Sequence, residues 1–138
     1  MRLSTKGQYG LRAALDLADR YGQGPVPLKA IAEREEISEH YLEQLIAELR
    51  KAGLVISQRG AQGGYILARA PDKITVAEIV EVLEGPIAPV DCLAEDNCKR
   101  SPVCAAQAIW KRLAVAMNQV LGSTTLADLI AENKRLKS

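Results

Sequence analysis

The sequence predicts a mainly α-helical protein: a winged helix-turn-helix with a small β-hairpin wing, followed by a long helix suited to dimerisation. Three observations lead there. Two amphipathic segments meet at a tight turn over Glu35-Glu36-Ile37. Two β-type runs, Leu54-Val55-Ile56-Ser57 and Tyr65-Ile66-Leu67-Ala68, flank the glycine-rich connection Arg59-Gly60-Ala61-Gln62-Gly63-Gly64. After Ser101-Pro102, an apolar stripe of Ala106, Ile109, Trp110, Leu113, Met117 and Val120 recurs at helical spacing.

In chain order, a first helix is expected from Ser4 or Thr5 to Tyr21, with Leu11, Ala14, Leu15, Ala18 and Tyr21 on one face. Gly22, Gly24 and Pro25 end it. Leu28, Ile31 and Ala32 mark a short second helix. Ser38 is a natural N-cap for a third over Glu39 to Ala52, with Glu39 in the first turn favouring the helix dipole. Leu42, Leu45, Ile46 and Leu49 supply that helix's apolar stripe, and Gly53 suits its C′ position. Thr75 and Glu78 form a capping box for a helix reaching about Leu83; Gly85, Pro86 and Pro89 then interrupt regular structure. Ser101 and Pro102 open the long helix, and a short helix follows from Thr125. The expected division is a winged domain with its following helix over 1–84, a cysteine-containing loop over 85–102, and a dimerisation helix with a C-terminal helix over 103–138.

Composition narrows the function classes. The 138 residues suffice for one modest core, so an oligomer is expected. A formal net charge of +1 excludes a uniformly basic coat, with ten Lys/Arg against eight Asp/Glu over 1–70 and eight against nine over 71–138. Nucleic-acid recognition therefore has to rest on the placement of a few side chains. A thiol enzyme usually needs a base beside its nucleophile, and the single histidine, His40, lies on the third helix. No apolar run approaches the roughly 18 residues of a membrane span, and Met1 to Lys6 lacks a signal peptide's hydrophobic core, so a cytoplasmic location is expected.

Opposite its apolar stripe, the third helix carries His40, Glu43, Gln44, Ala47 and Lys51. In a major groove, Gln bonds adenine edges and Glu accepts from cytosine N4. Ser38 and Tyr41 stand near the helix start for phosphates or bases, and Arg50 and Lys51 near its end for the DNA backbone. Arg59, among the wing glycines, suits a narrow minor groove, with Gln62 in the same connection. Glu43 stands apart because phosphates repel a carboxylate; it reads cytosine or filters out sites that leave it unpaired. The bland alternative is a merely solvated helix face and glycines that serve only the turn.

All three cysteines, Cys92, Cys98 and Cys104, lie in DCLAEDNCKRSPVC with five residues between successive members. An odd, clustered set without a secretory signal points to metal or cluster ligation rather than disulfides. Structural zinc and reduced, unligated thiols are the other readings. Cys104, following Pro102 at the start of the long helix, gains thiolate character from the helix dipole.

The segments MRLSTKGQYGLRAALDLA, SEHYLEQLIAELRKAGLV, RGAQGGYIL and VLEGPI, together with the spaced cysteines, resemble the Rrf-two family of winged-helix transcription factors. The similarity covers nearly the whole chain, and the cysteines point to the family's IscR-like, iron-sulfur-cluster-binding branch. The resemblance implies a homodimer that binds double-stranded promoter DNA, with the helix starting at Pro102 in the interface. It also implies a 2Fe-2S cluster held by three cysteines and a histidine, which changes promoter choice and controls cluster-biogenesis genes. By position, Cys92, Cys98 and Cys104 become ligands, while the histidine's place is taken by Gln107, a weak neutral donor. Nitric-oxide-sensing relatives use a carboxylate from the first helix, where this chain has Gln8. A repressor of the same family answering nitric oxide, thiol redox state, zinc or a partner protein is the alternative.

Overall fold

The computed structural model describes residues 4–61, 63–87 and 105–137. Helix α1 runs over Thr5–Asp19, capped by Ser4, whose side chain accepts from the Lys6 amide. It ends before the expected Tyr21 because the Arg20 and Tyr21 amides turn to the carbonyls three residues back, Leu17 and Ala18. Helix α2 spans Leu28–Glu35 and stops at Glu36, which adopts a left-handed φ of 55°. Helix α3 spans Glu39–Lys51 behind the expected Ser38 cap.

The α3 terminus fixes the wing. The Gly53 amide bonds the Arg50 carbonyl at 3.0 Å and the Leu54 amide bonds the Leu49 carbonyl at 3.0 Å, a Schellman closure that uses Gly53 at φ 81°. Leu54 is thereby spent on the helix end. Strand β1 accordingly begins one residue later than expected, at Val55–Gln58, and pairs antiparallel with β2 at Gly64–Leu67. A further backbone joins them: Val26 and Tyr65 exchange two hydrogen bonds of 2.9 Å, anchoring the wing to the α1–α2 connection. Gly64 permits this approach, since a Cβ there would lie 2.3 Å from the Val26 carbonyl oxygen.

After a short 3-10 turn at Pro71–Lys73, helix α4 covers Val76–Glu84 with the Thr75/Glu78 capping box in place. Helix α5 is described over Ala105–Gly122, and α6 over Leu126–Lys137. The Ser101 cap and Pro102 lie outside the described residues. Thr125 and Asp128 cap α6 reciprocally, at 2.9 and 3.1 Å. The segments before α4 and α6 also pair, through Val76 N to Thr124 O and Leu126 N to Ile74 O.

One hydrophobic cluster joins Ala13, Ala14 and Leu17 of α1 to Ile31, to the α3 stripe, to Val55 and Leu67 of the wing, to Ile79 and Leu83 of α4, and to Leu126 of α6. Leu42, Leu45 and Leu49 are fully buried and Ile46 nearly so. Each such side chain contributes about 1.5–3 kcal/mol of transfer free energy, which is why α3 is held as a rigid rod. The buried face of α1 is rotated from the expected one: Ala14 and Ala18 are buried as expected. Leu11 and Leu15 are half-buried and Tyr21 is exposed, whereas Gly7, Gly10, Ala13 and Leu17 face inward. The reason is α4, whose Leu83 and Glu84 occupy the space over Gly10 and Gly7. The core also admits one carboxylate, Asp16, which accepts from Arg34 at 2.7 and 2.9 Å and stands 3.5 Å from Arg20.

Candidate nucleic-acid interface

With its apolar stripe turned inward, α3 presents His40, Glu43, Gln44, Arg50 and Lys51 as exposed side chains, with Ala47 half-buried between them. Ser38 Oγ accepts from the Tyr41 amide at 3.2 Å, leaving its hydroxyl proton free to donate outward. His40 and Gln44, one turn apart, share a 3.3 Å hydrogen bond that holds the amide and the imidazole together on the exposed face. Glu43 stands beside them. Among the described residues Glu43, Arg50, Lys51 and Arg59 have no ion-pair partner, so their charges face solvent or a ligand.

Tyr41 is only half exposed, and its hydroxyl shares a 3.0 Å hydrogen bond with Thr5 Oγ1. Its ring meets Tyr9 edge-on at 6.2 Å, and the Arg12 guanidinium lies 5.2 Å from the Tyr9 ring centroid. Lys6 reaches Glu48 on the flank of α3 at 2.9 Å. The first turn of α1 therefore belongs to the setting of the reading helix. Sequence reasoning missed Thr5 and Lys6 for this role, because neither carries a periodic or motif signal of its own. Arg59 stands exposed at the end of β1, and the Gly63 amide closes the hairpin turn onto the Gly60 carbonyl at 3.0 Å. Gln62 lies outside the described residues. The structure thus gathers the α3 candidates on one exposed face and places Arg59 at the wing tip.

The metal candidates separate differently. Cys92, Cys98 and Cys104 lie outside the described residues, and among the described residues no group of three or more His, Cys, Asp or Glu side chains is placed to hold a metal. Gln107 is buried in the first turn of α5, at 6% exposure, on a helix whose other described residues are half-buried or exposed. Three thiolates form a soft donor set suited to iron or zinc, and a buried amide three residues after Cys104 adds only a weak donor. Elsewhere, a groove of about 700 Å³ lies between α1, α2 and α6. Its arginines are turned to the chain's own carboxylates: Arg34 to Asp16, and Arg12 to Glu35. Burial and the neighbouring Asp16 push the Glu35 carboxyl above its ordinary range despite Arg12.

This arrangement of reading helix and wing is shared with known proteins. The family profile described as "Rrf2: Iron-dependent Transcriptional regulator" matches residues 3–132. The chain belongs to the Rrf2 family. It is 50% identical over 129 residues to the HTH-type transcriptional regulator CymR of Bacillus subtilis (strain 168), across 94% of this chain and 89% of that protein. Over 136 residues it is 40% identical to the HTH-type transcriptional regulator IscR of Sodalis glossinidius (strain morsitans), across 99% and 82% of the two chains. Among solved structures, "CymR (YrzC) the Global Cysteine Regulator of B. subtilis" matches with a TM-score of 0.85 at 48% identity, covering 96% of this chain and 98% of that one. The structure of T. potens IscR matches with a TM-score of 0.83 at 47% identity, covering 100% and 92%.

As an Rrf2 protein the chain is a DNA-binding winged-helix transcriptional regulator, not an enzyme. Membership is established for the family as a whole. CymR exceeds the Sodalis IscR in identity, 50% against 40%, while the two solved structures stand level at 48% and 47%, so the identities alone do not assign the chain to the IscR-like branch expected from the cysteines. No helix among the described residues is long and apolar enough to cross a membrane.

Proposed function

We propose that this regulator works in the cytoplasm as a homodimer that senses iron-sulfur cluster status and controls cluster-biogenesis genes. Cys92, Cys98 and Cys104 would hold a 2Fe-2S cluster, and Gln107 stands where a fourth donor would be drawn from α5. The observation that carries the reading is the cysteine set itself: every cysteine of the chain falls within thirteen residues, evenly spaced and leading directly into α5. When bound, a cluster supplies an iron- and redox-dependent signal. The chain's own part is to turn occupancy into a preference between arrangements of α3 and the wing, since a ligand shifts an equilibrium only by its differential affinity. Ser38, His40, Tyr41, Glu43, Gln44, Arg50, Lys51, Arg59 and Gln62 are the proposed DNA contacts, with Glu43 the selector.

A second reading follows from the similarity to CymR, whose solved structure is described as that of a global cysteine regulator. In it the three thiols, or a partner protein, report on sulfur supply and no cluster is held. Anaerobic purification with an absorption spectrum and iron and sulfide analysis separates the two. Visible charge-transfer bands with about two irons and two sulfides per chain, lost in Cys92→Ala, support the cluster. A colourless chain whose DNA binding responds to thiol compounds supports the second reading and removes the first.

A further inference from the structure

Three consecutive residues at the start of α1 face two different helices. Ser4 turns to the C-terminal end of α4, where the Glu84 carboxylate accepts from the Ser4 amide at 3.2 Å, from the Ser4 hydroxyl, and from the Gly7 amide at 2.8 Å. Thr5 and Lys6 turn to α3, bonding Tyr41 at 3.0 Å and Glu48 at 2.9 Å. The carboxylate satisfies α1 amides that have no partner within their own helix. Its fit is close: a Cβ at Gly7 would lie 2.9 Å from Glu84 Cγ, and one at Gly10 would lie 2.0 Å from Leu83 Cδ1. Gly85, at φ 88°, then ends α4.

We infer that Glu84 is a positioning residue for DNA reading: it fixes the first turn of α1, and that turn fixes the α3 flank through Tyr41 and Glu48. Among the described residues Glu84 makes no hydrogen bond or ion pair with α3, so its polar link to the reading helix runs through Ser4, Thr5 and Lys6, alongside the direct packing of α4 on α3. The assignment rests on the DNA-binding activity of the family and is independent of what Cys92, Cys98 and Cys104 hold. It also bears on regulation, because Glu84 is the last α4 residue before the segment that leads to Cys92.

The test is a double-mutant cycle between Glu84 and Glu48 in the full chain. The probes are a duplex selected from a random-sequence pool by the wild-type protein and an unselected duplex of equal length, compared at fixed salt. Glu84→Ala and Glu48→Gln are each expected to reduce the preference for the selected duplex about fivefold, and the double variant to lose no more than either alone. Glu84→Gln, which keeps one carbonyl to accept from Gly7, is expected to fall between wild type and Glu84→Ala. If Glu84→Ala does not fold, Glu84→Gln takes its place in the cycle under the same criteria. A merely structural residue would weaken both duplexes equally, whatever the change in the thermal midpoint. That result, additive losses in the double variant, or an unchanged preference would overturn the assignment.

Discussion

Helices α3 and α5 carry the same kind of apolar stripe and meet opposite fates. In α3, Leu42, Leu45, Ile46 and Leu49 are at most 1% exposed. In α5, Ile109, Trp110, Leu113 and Val120 are 37–63% exposed. Both helices carry the periodicity that announces a buried face, but among the described residues the α3 stripe is buried whole, while of the α5 stripe Met117 alone packs against the Val76, Val80 and Ile87 cluster. Exposed large apolar side chains at helical spacing are the expected mark of association, and a second copy of the chain is the partner we propose for Ile109, Trp110, Leu113 and Val120 of α5. The contrast teaches that the pattern specifies which face is apolar, while the surrounding elements decide what covers it.

Replacing Leu113 with Glu would break this comparison most severely, by placing a charge in the proposed interface. Sedimentation should show monomers in place of dimers, with DNA affinity falling by orders of magnitude because one half-site is lost; a variant that remains dimeric would remove α5 from the interface. Leu45→Ala tests the other side. It should cost about 2–5 kcal/mol in denaturant unfolding, since α3's cover is internal. Gly64→Ala should weaken the anchor between β2 and Val26 and cost about 1–3 kcal/mol, with the wing amides exchanging faster than those of α3.

Smaller effects sharpen the electrostatic side. Burial alone would raise the Glu84 carboxyl, yet the hydrogen bonds from Ser4 and Gly7 and the charge of Lys6 outweigh it and hold it below the ordinary range. A folded-state value lowered in this way contributes stability above the ordinary carboxylate pKa of about 4.3 and loses it as pH falls through the depressed value. Thermal midpoints measured between about pH 3 and pH 6 should therefore fall less steeply in Glu84→Gln than in wild type. Least of all, Arg59→Ala should weaken DNA binding while reducing the slope of log affinity against log salt by about one.

Much of the reader was legible in the chain. Ser38, the Thr75/Glu78 box and Gly53 each stand at the cap position their chemistry predicts, because capping is a contest among neighbouring backbone groups and needs no distant partner. The exposed face of α3 followed from its stripe by elimination. The strand limits slipped by one residue because the Schellman closure claims Leu54, and the face of α1 turned because α4 lies against Gly7 and Gly10. Neither Val26 pairing with Tyr65 nor Asp16 buried against Arg34 left a local signal.

The sequence by itself determined the order of the described helices, the Ser38 and Thr75 caps, the wing and the family, since these depend on contacts within a few residues and on a recognisable order of segments. Only the tertiary structure decided that the first turn of α1 lies between α4 and the reading helix. Ser4, Thr5 and Lys6 read as an ordinary polar helix start. Their partners, Glu84, Tyr41 and Glu48, are 80, 36 and 42 residues away, and no local preference encodes separations of that size.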